Sequence, residues 1–147
     1  MTPTFNKLEK GQSVYIAIAH DGEYEGKVYG GSGTQVAHFM SMFIRPFASK
    51  IQLAQAYEVF ETALQQAGKA NVRYLFFPVI TNWEPRNAAW SGRPTRASIT
   101  VTAYDVAANQ QLFVRKIDIE GRSVTLISQS VDKLVETAIK EFCENLF

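Results

Sequence analysis

The sequence predicts an α/β (α+β) domain in which helices pack on a mixed sheet of about five strands. Strand-like and helix-like segments alternate through the first half of the chain, a hairpin follows, and an amphipathic helix comes last. The expected order of elements is β-α-β-α-β-β-β-α. The alternation favours right-handed parallel crossovers in the first half, and the hairpin adds antiparallel strands in the second.

The first three segments differ in their side-chain period. Residues 13–19 alternate apolar side chains every second position, as a strand does. Residues 20–33 contain several glycines and two tyrosines, which indicates an ordered loop or a small hairpin. In residues 33–45 apolar side chains recur every three or four positions, which predicts a helix. Ser32 and Gln35 have the spacing of a capping box for that helix.

A second strand–helix–strand unit follows in the middle of the chain. Residues 50–54 form a short predicted strand, and residues 57–68 a second amphipathic helix whose last glycine supplies a left-handed stop. Residues 72–81 are almost continuously apolar, as expected of a central strand that is covered on both faces. Pro78 lies within this strand and cannot donate a ladder hydrogen bond. It therefore indicates a bulge, a strand end or a local edge.

The last part of the chain predicts a hairpin and a closing helix. Residues 97–106 and 112–119 are the paired strands, and the turn 107–110 includes an asparagine that tolerates a positive φ angle. Residues 123–127 are predicted to be extended. After them comes an amphipathic helix that Ser130 caps.

Length and composition restrict the class of protein. A chain of 147 residues has room for one domain, and we assign residues 13–147 to it and residues 1–12 to a leader or linker. The formal net charge is +1, without the basic excess of a dedicated nucleic-acid-binding protein, so no nucleic-acid partner is expected. The sequence contains no run of 18 apolar residues, the pattern that would predict a membrane-spanning helix.

The side chains that usually carry chemistry are few. His20, His38 and Cys143 are the nitrogen and sulfur ligands of the chain, and no two of them have metal-ligand spacing. A single cysteine excludes an internal disulfide, and Cys143 is predicted to pack as a small apolar residue of the last helix. His38 is predicted to lie at the surface. We therefore predict no metal, no cofactor and no catalytic residues, and hence a protein that is not an enzyme.

The segment 83–96 is the leading candidate for a binding site. It contains both tryptophans of the chain and three arginines, residue types that concentrate binding energy at interfaces. Together with the tyrosines of the earlier loop, the predicted partner-binding residues are Trp83, Arg86, Trp90, Arg93, Arg96, Tyr24 and Tyr29. In the alternative interpretation the tryptophans pack this loop onto the sheet, and the arginines stack on them or pair with carboxylates such as Asp21, Glu23 and Glu25.

A second hypothesis places a small anionic ligand, or an enzyme's substrate, at the start of the first helix. Backbone amides and the helix dipole attract anions there. The residues of this alternative site are Gly31, Ser32, Gly33, Thr34 and Lys27. The glycines fit neither a phosphate loop nor a dinucleotide fingerprint, and they are also explained if they only turn the chain into the helix.

Several short motifs carry a resemblance to a known family. They are Tyr15-Ile16, Asp21-Gly22 with Tyr24 and Tyr29, Gly31-Ser32-Gly33, Tyr74-Leu75 with Pro78, Trp83-Glu84 with Arg86, and Trp90-Ser91-Gly92-Arg93-Pro94 with Arg96. From Ser13 to its C-terminus the chain resembles an uncharacterised proteobacterial family of predicted lipoproteins with a domain of unknown function. The Trp-Ser-Gly-Arg-Pro motif is the specific part. The element order also resembles small envelope lipoprotein domains such as the penicillin-binding-protein activator and the curli secretion lipoprotein.

The resemblance implies a location and a kind of partner. It implies a lipid-anchored domain on the periplasmic face of the outer membrane, whose partner is an envelope protein or a cell-wall component. It supplies no catalytic residues. Pro85 and Thr95 stand where family members often have an acid, which argues against a chelating loop. Neither a signal peptide nor a lipid-accepting cysteine is present, so we expect Met1 to stand in place of a removed leader.

Overall fold

The computed structural model describes residues 7–84, 95–121 and 131–147. Its strands are β1 (Gln12–Ile18), β2 (Gly22–Tyr24), β3 (Lys27–Tyr29), β4 (Ala48–Tyr57), β5 (Tyr74–Glu84), β6 (Thr95–Asp105) and β7 (Gln110–Gly121). Its helices are α1 (Ser32–Ile44), α2 (Phe60–Lys69) and α3 (Val131–Glu144), and a short 3-10 turn, Arg45–Phe47, follows α1.

Five of the strands form one mixed sheet, as predicted. Their order is β4-β1-β5-β6-β7, and β2 pairs with β3 in a separate hairpin. β1 is parallel to β4 and β5, whereas β5, β6 and β7 pair antiparallel. The crossovers through α1 and α2 run in opposite directions across the sheet, so right-handed connections place these helices on opposite faces. α3 packs beside α1.

The predicted central strand lies at the centre of the sheet. Leu75 and Phe76 of β5 are fully buried. β1 pairs with β5 only from Tyr74 to Phe76, so Pro78 follows the last of these pairs. The local edge predicted at Pro78 is therefore confirmed on the β1 side, while β6 pairs with β5 beyond it.

The predicted capping box of α1 is wrong. The residue at the N-cap position is Gly31, with a φ angle of 89°, and it makes no side-chain cap hydrogen bond. The Ser32 hydroxyl instead donates to the carbonyl oxygen of Tyr29 at 2.7 Å and accepts the Gly22 N–H at 2.7 Å. The left-handed glycine places Ser32 inside the first turn, where its hydroxyl faces the β2–β3 hairpin rather than the amide of Gln35.

The boundary between β4 and α2 also differs from the prediction. Tyr57 belongs to β4, because it pairs with Ile18 of β1, and α2 begins at Phe60. Gly68 does not provide a left-handed stop, since α2 continues to Lys69 and the positive φ angle, 56°, occurs at Asn71. Pairing with β1 thus extends β4 beyond residues 50–54, the part that its apolar period predicted.

The hairpins agree with the sequence. Residues 20–33 contain the small hairpin of β2 and β3, one of the two predicted alternatives. The turn between β6 and β7 has a φ angle of 54° at Asn109, as predicted. The predicted extended segment 123–127 and the capping residue Ser130 lie outside the described residues.

The two ends of the main sheet differ. At one end, here called the open end, β1, β4 and β5 finish and α1, α2 and α3 begin. At the other, the closed end, the Leu8 N–H donates to the Leu146 carbonyl oxygen at 2.8 Å, and the Arg73 guanidinium pairs with Asp105 at 3.0 Å. Leu8, within the predicted leader 1–12, is buried in the core.

Candidate functional site

The start of α1 is fixed to the loop that follows β1. An Asp21 carboxylate oxygen accepts the Gly33 N–H at 2.9 Å. This acceptor lies outside the helix and satisfies an amide that the helix itself leaves unpaired. A side chain on Gly33 would force the backbone to shift, because its Cβ would lie 2.0 Å from the Ala19 carbonyl oxygen.

Trp83 lies beneath the β2–β3 hairpin. Its side chain is 2% exposed, and a Cβ added to Gly22 would lie 2.6 Å from the Trp83 Cβ. The hairpin approaches this closely only because residue 22 is a glycine. For Trp83 the structure therefore favours the packing alternative over direct contact with a partner.

An open cleft lies between the β2–β3 hairpin and the first residues of α1 and α3. Its volume is about 520 Å³. The residues that line it include Lys27, Tyr29, Gly31, Ser32, Gln35, Trp83 and Asp132. The Lys27 ammonium lies 5.0 Å from the centre of the Tyr29 ring, a cation–π contact. The cleft thus brings together residues from both sites that the sequence predicted.

The other predicted site residues that the structure describes are not among those that line this cleft. Tyr24 is half-buried in β2, and Thr34 is exposed on the first turn of α1. Arg96 is exposed at the start of β6, and its guanidinium lies 3.6 Å from the Glu120 carboxylate. The acid is on β7, whereas the predicted alternative named acids of the earlier loop, residues 21–25, as the partners of the arginines. Arg86, Trp90 and Arg93 lie outside the described residues.

A second, smaller cleft at the open end was not predicted. Its volume is about 340 Å³, and the residues that line it are His20, Asp21, Glu23, Ile80, Thr81 and Asn82. His20 stacks on Tyr57, with 3.4 Å between ring centres. The sequence did carry a signal for this cleft, because residues 20–23 follow β1 and residues 80–82 lie near the end of β5. Parallel strands finish at the same edge of a sheet, which brings such residues together. Within residues 7–84, 95–121 and 131–147, His, Cys, Asp and Glu side chains form no group of three that could hold a metal ion.

Two ionisable side chains are held protonated by the core. Burial, with a smaller effect of Glu144, raises the pKa of the Cys143 thiol to about 12. Burial also raises the pKa of Tyr15, whose hydroxyl donates to Glu58 at 2.5 Å and whose phenolate the Glu58 charge further disfavours. Cys143 therefore packs as a small apolar residue, as predicted, and His38 is exposed as predicted. None of the described helices has the length and apolarity needed to cross a bilayer.

Solved structures share this fold at low sequence identity. The PelC dodecamer from Paraburkholderia phytofirmans has a TM-score of 0.72 and 16% identity, over 96% of this chain and 91% of that chain. The hypothetical protein CT253 from Chlamydia trachomatis has a TM-score of 0.62 and 10% identity, over 92% and 95%. Lipoprotein GNA1162 from Neisseria meningitidis has a TM-score of 0.51 and 14% identity, over 91% and 99%. At these identities the likeness shows the fold.

Sequence comparison shows the family. No curated protein matches the sequence. A family model described as Domain of unknown function (DUF4823) matches residues 6–146. This match fits the resemblance to an uncharacterised family with a domain of unknown function, while the Trp-Ser-Gly-Arg-Pro motif, residues 90–94, lies outside the described residues. The chain therefore belongs to the DUF4823 family.

Proposed function

We propose that this DUF4823 domain is a non-enzymatic cell-envelope domain that binds an envelope protein or a cell-wall component at its open end. The observation that carries the proposal is the cleft of about 520 Å³, in which Lys27 and Tyr29 face the start of α1. Residues 84 and 95, which flank the aromatic and arginine-rich segment, are at the same end of the sheet. In open α/β sheets, ligands commonly bind at this end.

The side chains of the cleft suit a polar macromolecular partner. Lys27 offers a cation, Asp132 offers an anion, and the half-buried Tyr29 offers an aromatic ring. Tyrosine is enriched at protein interfaces, because its rigid ring provides a large contact area at a small cost in conformational entropy. A cleft with both charges is expected to select partners by complementary polar groups.

The proposed location is the periplasmic face of the outer membrane, with attachment through a lipid anchor. It is supported by the family resemblance and by the similar fold of a neisserial lipoprotein. The similar Paraburkholderia protein is a dodecamer, which makes participation in a larger envelope assembly a reasonable extension of the proposal.

The anionic-ligand alternative has less support from the same contacts. The Gly33 N–H, one of the first amides of α1, already donates to Asp21. Asp132 adds a negative charge to the cleft, where it would repel an anion. We therefore expect nucleotides and phosphosugars to leave the melting temperature unchanged. Saturable stabilisation by one of them would favour the alternative.

Site-specific photocrosslinking in cells tests the proposal. A photoreactive amino acid at Val28, on the β2–β3 hairpin, should form one discrete crosslinked product. The matched control is Met42 on α1, because the two side chains are 54% and 53% exposed. Met42 should give no such product.

Substitution of the aromatic and arginine-rich segment completes this test. Changing Trp90 and Arg93 together to Ala should abolish the crosslink from Val28 while the thermal stability of the domain is retained. Equal crosslinking from Val28 and Met42 would contradict the proposed binding end. A large loss of stability with an unchanged crosslink would assign the segment a structural role.

A further inference from the structure

The outer strand β7 has properties of an interaction surface that the proposed function does not use. Among the described residues, β7 is paired with β6 alone and forms one edge of the five-stranded sheet. It is 12 residues long. Sheet edges present backbone N–H and C=O groups to any strand that approaches, and natural proteins usually keep such edges short or interrupted.

The two faces of β7 differ in their packing. α3 packs on one face, where Ile117 is half-buried and Ile119 is buried. The other face carries the exposed apolar side chain of Val114, which is 51% exposed, and then Lys116 and Asp118. Since neighbouring positions alternate between faces, Lys116 and Asp118 flank Ile117 on the solvent-facing side.

The charges on β7 are arranged symmetrically about Ile117. The Lys116 and Asp118 side chains are 60% and 70% exposed, and their charged atoms lie 3.4 Å apart within the strand. If two β7 strands pair antiparallel about Ile117, Lys116 of each copy lies opposite Asp118 of the other, so two complementary contacts form. A register centred on Lys116 would oppose two lysines, and one centred on Asp118 would oppose two aspartates. Directly opposed like charges destabilise a strand pair.

We propose that a second copy of this chain pairs with β7, antiparallel and centred on Ile117, to form a two-fold symmetric dimer. The backbone ladder supplies the attraction, and the Lys116–Asp118 contacts select the register. This contact is isologous, so each substitution on β7 acts twice. The surface is distinct from the cleft, and the inference does not depend on the proposed function.

Charge exchange tests the dimer. Sedimentation equilibrium of the full chain should show a concentration-dependent dimer. Lys116→Asp alone, or Asp118→Lys alone, should raise the dimer dissociation constant about tenfold or more, because two attractive contacts become repulsive. The double variant Lys116→Asp with Asp118→Lys should restore dimerisation. Lys50→Asp on β4, the opposite edge strand, is the matched control and should leave it unchanged.

Circular dichroism and thermal melting of each variant separate loss of pairing from loss of folding. Asp118 also accepts a hydrogen bond from Ser98 within the subunit at 2.8 Å, so the Lys116→Asp variant, which retains it, carries the decisive comparison. A chain that stays monomeric at all concentrations overturns the proposal. So does a dimer that neither single charge reversal weakens, or one that the double exchange fails to restore.

Discussion

At the scale of single residues, two glycines determine how closely the β2–β3 hairpin and α1 approach the sheet. Gly22 lies against the Trp83 side chain, and Gly33 lies against the Ala19 carbonyl. Neither glycine has a positive φ angle, so what matters at both positions is the missing side chain. The wall of the cleft therefore depends on the absence of a Cβ atom at these two positions.

Two alanine substitutions should change stability in opposite directions. Alanine normally stabilises a helix relative to glycine by up to about 1 kcal/mol. Gly68→Ala in α2 should show this gain, since no atom lies within 4 Å of the added Cβ. Gly33→Ala in α1 should instead cost about 1–3 kcal/mol, because the Cβ meets the Ala19 carbonyl oxygen at 2.0 Å. Urea denaturation measures both values, and a gain at Gly33 would contradict the packing described for α1.

Residue types alone did not determine which predicted site residues face solvent. The sequence located Trp83 in an aromatic and arginine-rich segment, but its burial depends on Gly22, which lies 61 residues earlier in the chain. Arg96 was predicted with the same segment, and its pairing with Glu120 follows from the register of β6 with β7. Such contacts between distant residues leave no local pattern.

At the scale of elements, the beginning of α1 is stabilised from outside the helix. The sequence predicted a Ser32–Gln35 capping box, and the structure assigns Ser32 to the hairpin and Asp21 to the helix amide. A carboxylate near a helix N-terminus interacts favourably with the helix dipole. The loop after β1 therefore supports both the hairpin and α1.

Substitutions of Asp21 should reveal this support. Asp21→Ala removes the acceptor of the Gly33 N–H and should cost about 1 kcal/mol of folding free energy, the usual effect of losing a helix cap. Asp21→Asn keeps an acceptor but loses the charge, so about 0.3–1 kcal/mol should be lost. Glu23→Ala, at an exposed position of β2, is the control and should be nearly neutral. Chemical denaturation at neutral pH gives the order, and equal stability of all three variants would contradict it.

Side-chain period predicted the elements better than their limits. The β6–β7 hairpin, the central strand and the three helices were expected, because each has a clear apolar repeat or turn residues, and the β2–β3 hairpin was one of two alternatives. β4 and β7 were predicted too short at both ends, and β6 begins two residues before its predicted start. Their outer residues are polar or exposed, and pairing with β1 or with each other, rather than an apolar period, makes them strands.

At the scale of the whole molecule, the closed end joins the beginning and the end of the described chain. Leu8 is buried and bonds to Leu146, and Gly11 donates its N–H to the Phe47 carbonyl oxygen at 2.7 Å. The sequence predicted a leader or linker over residues 1–12, because this stretch contains Pro3, Asn6, Gly11 and several charges. The buried contacts of Leu8 raise the question of whether its part of the segment stabilises the domain.

A substitution at Leu8 addresses that question. Leu8→Ala should lower the free energy of unfolding by about 2 kcal/mol or more, as other buried leucines do when truncated. Lys7→Ala, at the exposed neighbouring position, is the matched control. Thermal or urea unfolding gives the difference. If Leu8→Ala is as stable as the control, the segment behaves as the predicted leader, which does not contribute to the stability of the domain.

The position of Leu8 also determines the orientation of the cleft relative to an attachment on the N-terminal side of the domain. Residue 7 is at the closed end, while the cleft lies at the far end of the strands. A tether attached ahead of residue 7 therefore joins the domain at its closed end, opposite the cleft. In the proposed outer-membrane location, the cleft would face away from the lipid surface, toward molecules in the periplasmic space or the cell wall.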